Sequence, residues 1–203
     1  LQAVILSIAL LAVLAILAGC QTSDVTPIAS ASSDIVFLGE EMIPPKQISD
    51  FDLIDRTGER LRLSDLKGKF VLVGFGYTRC PDVCPALYNT FKQIRNSMTP
   101  AMYDDVALVI ITVDPDNDTP ERLNAYSEQY GGDWHFLTGE TSELEKVWEE
   151  FRMYVKKGAV SVDHTNITYI LDRQGVVRLR YGGLPPPTGI LADLENLGAG
   201  QGS

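Results

Sequence analysis

The sequence predicts an α/β fold in which helices cover a single sheet, and three observations carry that expectation. Phe70–Phe75 and Val106–Val113 are continuous apolar runs rich in β-branched residues, the pattern of strands buried on both faces. Each run is followed by apolar residues at helical spacing, first Leu87, Phe91, Ile94 and Met98, then Leu123, Tyr126 and Tyr130. Ile167–Leu171 and Val176–Tyr181 then flank Asp172-Arg173-Gln174-Gly175, which reads as a hairpin.

The folded part is expected to begin near Ile48. Phe51–Asp55 and Arg60–Leu63 alternate around Arg56-Thr57-Gly58-Glu59, which predicts a β-hairpin ahead of the main sheet. Ser64–Lys69 reads as a turn before the first buried strand. Thr119-Pro120 supplies an N-cap and a proline at the first helical position. Ser142 and Glu145 form a capping-box pattern for a helix carrying Leu144, Val147, Trp148 and Phe151. A last helix is predicted over Gly189–Leu197. Parallel strands joined by helices and followed by an antiparallel hairpin give a thioredoxin-like sandwich with an N-terminal β-hairpin extension, over residues 48–198. In such a sheet the reactive end is the loop leaving the first long strand and the helix N-terminus after it.

The residues ahead of this domain have another purpose. Leu1–Ala18 carries no charge and is nearly all Leu, Ile, Val and Ala, and it runs through Gly19 into Cys20. Small residues just before a cysteine resemble a bacterial lipoprotein signal peptide ending in a lipobox. Residues 1–20 are therefore expected to be a removed leader, with Cys20 as the lipidated first residue of the mature protein. No basic n-region and no starting Met are present, which predicts further residues upstream. The alternative is an uncleaved membrane anchor, for which the apolar run is short of the ~20 residues of a full span. Both readings predict an extracytoplasmic protein held at the cell membrane. Residues 21–47, which open on a Ser-, Thr-, Ala- and Pro-rich stretch, are expected to be a flexible tether. If flexible, about 20 such residues reach roughly 25 Å.

The formal charge of −10 falls entirely after Cys20. A net acidic surface argues against nucleic acid and against a polybasic grip on anionic lipid. Only two thiols remain in the exported part, Cys80 and Cys84, too few for a disulfide framework. A bond between positions this close would close a very small loop and stabilise little.

Cys80-Pro81-Asp82-Val83-Cys84-Pro85 is the most informative stretch. If a helix begins at Cys80, the two thiols lie one turn apart on the same face. They could clamp one soft metal ion or close a disulfide. The thioredoxin-type redox pair has two intervening residues, not three, so the spacing raises the metal reading. A thiol at a helix N-terminus has a lowered pKa. Arg79 would add to this if it faces the sulfur; otherwise it is an exposed side chain without a role. Pro81 and Pro85 fit only near a helix start and are expected to keep Cys80 exposed. Of the two histidines, His135 sits among apolar residues and reads as structural. His164 follows Val162-Asp163 far downstream of the thiols.

Together these stretches resemble one family. Gly74–Pro85, Thr112–Pro120 and Val162–Thr165 with the strand after it are similar, in order and spacing, to three motifs of the Sco/SenC copper-binding cytochrome oxidase assembly proteins. The similarity runs from about Phe51 to Leu197. It implies a thioredoxin-like fold, with Cu(I) or Cu(II) held by Cys80, Cys84 and His164. It also implies delivery to the CuA site of cytochrome c oxidase subunit II. A thioredoxin-like reductant and another copper carrier are the further partners of such a cycle. Thiolates and imidazole suit copper, and three ligands leave room for an incoming one.

Two other functions stay open. Cys80 and Cys84 could act as a redox-active pair whose dithiol reduces the disulfide of the copper-site cysteines of the same subunit and is itself oxidised to a Cys80–Cys84 disulfide. A peroxidase of the peroxiredoxin type is the third: Thr78-Arg79-Cys80 vaguely resembles a peroxidatic cysteine, but neither the preceding proline nor the expected threonine spacing is found. Asp114, at the end of a buried strand, and Asp118 could tune the metal site or attract a partner. Equally, Asp118 could cap the next helix and Asp114 could be structural. Tyr77 is either packing or a wall of the site.

Overall fold

The computed structural model describes residues 36–200. The leader 1–20, the lipidation site Cys20 and the tether as far as residue 35 lie outside the described residues. Within them, no helix is long and apolar enough to cross a membrane.

The described residues build one eight-stranded sheet and a separate two-stranded one. In chain order the strands are β1 (Glu40–Gln47), β2 (Asp52–Asp55), β3 (Arg60–Arg62), β4 (Phe70–Gly76), β5 (Val106–Thr112), β6 (His135–Thr138), β7 (Val155–Lys157), β8 (Val162–His164), β9 (Ile167–Leu171) and β10 (Val176–Gly182). The helices are α1 (Val83–Ser97), α2 (Pro100–Asp105), α3 (Pro120–Ser127), α4 (Thr141–Glu150) and α5 (Pro187–Gly200). The main sheet runs β1-β10-β9-β4-β5-β6-β2-β3. Its centre, β4-β5-β6, is parallel and the flanks are antiparallel. Every residue of β4 and β5 is buried, as their unbroken apolar sequences require.

Strand alternation assigns the two faces. On one face, a Cβ at Gly74 would meet Phe91 of α1, and Phe70 lies beside Gly198 of α5. On the other, Phe75 packs edge-on against Phe151 at 5.3 Å and Tyr169 at 6.4 Å, next to the end of α4. The Trp148 indole of α4 donates to the Thr112 carbonyl. This is the thioredoxin-like sandwich, and the expected β2–β3 hairpin extends it at one edge by pairing with β6.

The expected tether is corrected at its end. Glu40–Gln47 is strand β1, paired antiparallel with β10 at the opposite edge. Its side chains are mostly exposed, so the pairing rests on backbone hydrogen bonds and leaves little hydrophobic pattern in the sequence. The buried Asp193 carboxylate of α5 fixes the segment before it, accepting the Gly39 N–H at 2.8 Å and the Tyr181 hydroxyl at 2.6 Å. Register puts the start of β1 beside Arg180, and Gly182 opposite Ile167. The chain therefore enters the sheet at the end where β4 finishes and the His164 segment begins.

Other expectations change in detail. Thr119 caps α3 with Pro120 in its first turn, as expected. The Ser142–Glu145 capping box does not form, because α4 starts at Thr141 with Glu140 as its N-cap residue. The last helix is longer than expected at both ends. Strands β6, β7 and β8 and helix α2 add elements absent from the expected order.

Candidate metal centre

The site grows from the end of β4. Gly76 points at α1, where a Cβ would meet the Tyr88 ring and lie 3.1 Å from Cys84 Sγ. A glycine is needed there for the thiol to pack against the strand. Alternation carries the next residue, Tyr77, to the other face, and it is buried. The chain then loops through Cys80 before α1 begins at Val83.

The expected helix start at Cys80 is thus corrected. Cys80 lies in the loop and Cys84 in the first turn, with Pro85 one residue on, where a missing N–H costs no intrahelical bond. The expectation that Cys80 is exposed also fails. It is only 8% exposed and Cys84 1%, and both are free thiols. They are coupled through the loop, for the Cys84 N–H donates to Cys80 Sγ at 3.4 Å.

The two sulfurs differ sharply. Burial opposes ionisation of Cys80, but the backbone N–H groups of Asp82, Cys84 and Val83 and the Cys84 side chain outweigh it and lower its pKa. Burial raises the pKa of Cys84 well above the ordinary thiol range, and its hydrogen bond to Cys80 raises it further. The backbone N–H groups at the helix start thus favour a thiolate at Cys80, while burial keeps Cys84 protonated. Arg79 has no share in this. Its guanidinium grips the buried Asp114 carboxylate at 2.8 Å.

His164 closes the group from β8. Its Nδ1 lies 2.9 Å from the Thr165 carbonyl, an acceptor only, so Nδ1 carries the proton and Nε2 keeps its lone pair. Nε2 lies 4.0 Å from Cys84 Sγ. Burial holds the imidazole below the ordinary histidine range, against the Thr165 carbonyl and Asp163. It is therefore neutral near pH 7. An ion bound to nitrogen and sulfur at roughly 2.0–2.3 Å each could span that separation. The donors suit a soft first-row ion. Among the described residues no three His, Cys, Asp or Glu side chains already converge as a closed cage. Cys80 faces Cys84 from the loop, its sulfur accepting the Cys84 N–H.

The second motif supports the loop from beneath. Asp118, wholly buried, takes the Thr78 hydroxyl and the Thr112 hydroxyl at 2.6 Å each and the Thr78 N–H at 3.2 Å. It caps no helix; Thr119 does. Asp114 holds Arg79 and Asn117. Neither carboxylate reaches the sulfurs in any recorded contact, so both shape the loop. Thr78 and Thr112 fall within the first and second motifs, but nothing local in the sequence assigns them to Asp118. His135 pairs with Asp55 of β2 at 3.3 Å, in keeping with a structural role.

Fold and site define a class: a thioredoxin-like protein in which a cysteine pair at a helix N-terminus is faced by a neutral imidazole from the separate two-stranded ribbon. The family model for SCO1/SenC matches residues 40–199, and the chain belongs to that family. It is 35% identical over 133 residues to Protein sco1 of Schizosaccharomyces pombe, covering 62% of this chain and 51% of that protein. The chain thus spans about half the length of that curated relative. Among solved structures, it is similar to apo Sco1 of Thermus thermophilus (TM-score 0.72, 29% identity, 81% of this chain and 99% of that one). It is also similar to Bradyrhizobium japonicum ScoI with copper bound (TM-score 0.68, 32% identity, 74% and 99%). A third is BsSco, a member of the Sco family of cytochrome c oxidase assembly proteins in which a disulfide switch is identified (TM-score 0.68, 26% identity, 80% and 98%).

Proposed function

We propose that the protein is a copper metallochaperone, tethered to the outer face of the cell membrane through Cys20, which holds copper with Cys80, Cys84 and His164. It delivers the ion to the CuA site of cytochrome c oxidase subunit II. The observation that carries this reading is the 4.0 Å approach of His164 Nε2 to Cys84 Sγ, with the imidazole in the tautomer a metal requires. Thiol chemistry alone needs no such imidazole. The copper-bound Bradyrhizobium structure and the description of BsSco support the cargo and the oxidase context. Anaerobic Cu(I) titration of the full chain in detergent, wild type beside His164→Ala, tests it. One ion per wild-type chain, with both thiols protected from labelling, is expected. No stoichiometric binding by the wild type would end the reading.

A second reading, a thiol–disulfide reductase, is favoured by the unequal sulfurs. The Cys80 thiolate would attack one sulfur of a target disulfide and release the other as a thiolate. Cys84, once deprotonated, would then attack Cys80 Sγ, close the intramolecular bond and release the second target thiol. The target gains two electrons, and a separate dithiol reductant resets the pair.

A further inference from the structure

His164 sits on a weakly secured arm. Strands β7 and β8 pair only with each other, three residues each, and form no ladder with the main sheet. A two-stranded ribbon of that size is marginal alone. Besides the Cys84–His164 approach, two polar contacts fasten it near the site. One is exposed: Lys157 Nζ to Asp116 at 2.8 Å, with side chains 38% and 62% accessible. Exposed ion pairs hold little. The other is buried: the Val162 N–H donates to the Tyr77 hydroxyl at 3.1 Å. Val162 is two residues before His164, and the Tyr77 ring meets the imidazole edge-on, centroids 6.0 Å apart. The Tyr77 carbonyl also takes the Cys80 N–H at 3.4 Å. One residue thus touches both the thiol loop and the imidazole arm.

We infer that the Tyr77 hydroxyl is a positioning group, which pins β8 through the Val162 N–H and so sets His164 Nε2 over the sulfurs. The inference rests on the metal reading of the site, and it concerns an atom that neither binds the ion nor exchanges with it. Phenylalanine would fill the same space in the core but leave the buried Val162 N–H without its acceptor.

Tyr77→Phe in the full chain is the test, with Lys157→Gln as its companion. In the apo protein, hydrogen exchange at the Val162 amide should accelerate in Tyr77→Phe, and the His164 imidazole resonances should shift. Unchanged exchange would overturn the inference whatever the metal does. In the copper-loaded protein the one-to-one stoichiometry should persist, because both thiols remain. Cu(I) affinity in chelator competition should fall roughly tenfold, the low end for loss of a group that orients a ligand. The imidazole nitrogen coupling in the Cu(II) spectrum should weaken. Retained affinity and nitrogen coupling beside a faster Val162 amide would also overturn it, as would an equal loss in Lys157→Gln. A wild type that binds no copper would defeat the metal reading, while the apo measurements would still decide whether Tyr77 holds the arm.

Discussion

Asp118 and Thr78 are bound to each other twice: the buried carboxylate takes both the backbone N–H and the hydroxyl of the threonine two residues before Cys80. The thiol loop is thus moored to the chain segment that leaves β5.

The first prediction follows from that mooring. Asp118→Ala takes the acceptor from the Thr78 N–H and from both threonine hydroxyls, which keep only the bonds they accept from Arg122 and the Asp114 N–H, and should cost roughly 1–3 kcal/mol by denaturant unfolding of the apo protein. Burial raises the Asp118 pKa, opposed by Thr112 and Thr78. The folded state therefore binds its proton more tightly than the unfolded state does. Its contribution to stability should be greatest below the ordinary carboxylate range and decline as pH rises through the raised value. The wild-type minus Asp118→Asn difference in stability, followed against pH, should show that decline. A flat difference would mean that the carboxyl titrates at the same pH in the folded and unfolded protein.

The second concerns the two sulfurs. Limiting iodoacetamide near pH 7 should label Cys80 far ahead of Cys84, because only the former is disposed to be a thiolate. Peptide mapping reads the ratio. Equal labelling would contradict the assignment of the nucleophile.

Oxidation gives the third. A Cys80–Cys84 disulfide should form and prevent copper uptake, since bonded sulfurs cannot also be ligands. The closed loop is so short that chain entropy gives at most about 2 kcal/mol, so the melting temperature of the apo protein should rise by no more than about 8 °C. A large rise would make the pair a staple of the fold.

The fourth separates carrier from reductase. His164→Ala keeps both thiols, so exchange with an oxidised target peptide should survive while copper binding weakens markedly. Cells carrying it should fail in oxidase assembly when copper is scarce. Normal oxidase activity there, beside loss in Cys80→Ser cells, would favour the reductase. In the wild type, burial keeps His164 below the ordinary histidine range. The folded state thus prefers the neutral ring, and its share of stability is complete above the ordinary range and lost as pH falls through the lowered value.

Parts of this molecule written in buried side chains were legible in the sequence. Strands β4 and β5 announce themselves because every residue is interior. The start of α3 is readable because Thr119 and Pro120 act locally. β1 was not legible: Glu40–Gln47 joins by its backbone and shows its side chains to water. The β7–β8 ribbon was missed for a similar reason, being short and largely exposed. At the site, Cys80, Cys84 and His164 were found as chemistry, but their setting depends on distant partners. No local pattern says that Arg79 turns to Asp114, or that Asp118 holds Thr78 across forty positions of sequence.

The entry point of β1 has a consequence for transfer. The first described residues reach the sheet on the end that bears the thiols, and Asp193 clamps them there. For a head held from its N-terminus, the leash is then fastened near the exit for the cargo, not a domain's length behind it. If the proposed tether holds the head and an acceptor at one surface, the effective concentration of the loaded site is set by the length and stiffness of the leash. Lengthening the leash would dilute that encounter, and shortening it would restrict the angles from which an acceptor can dock.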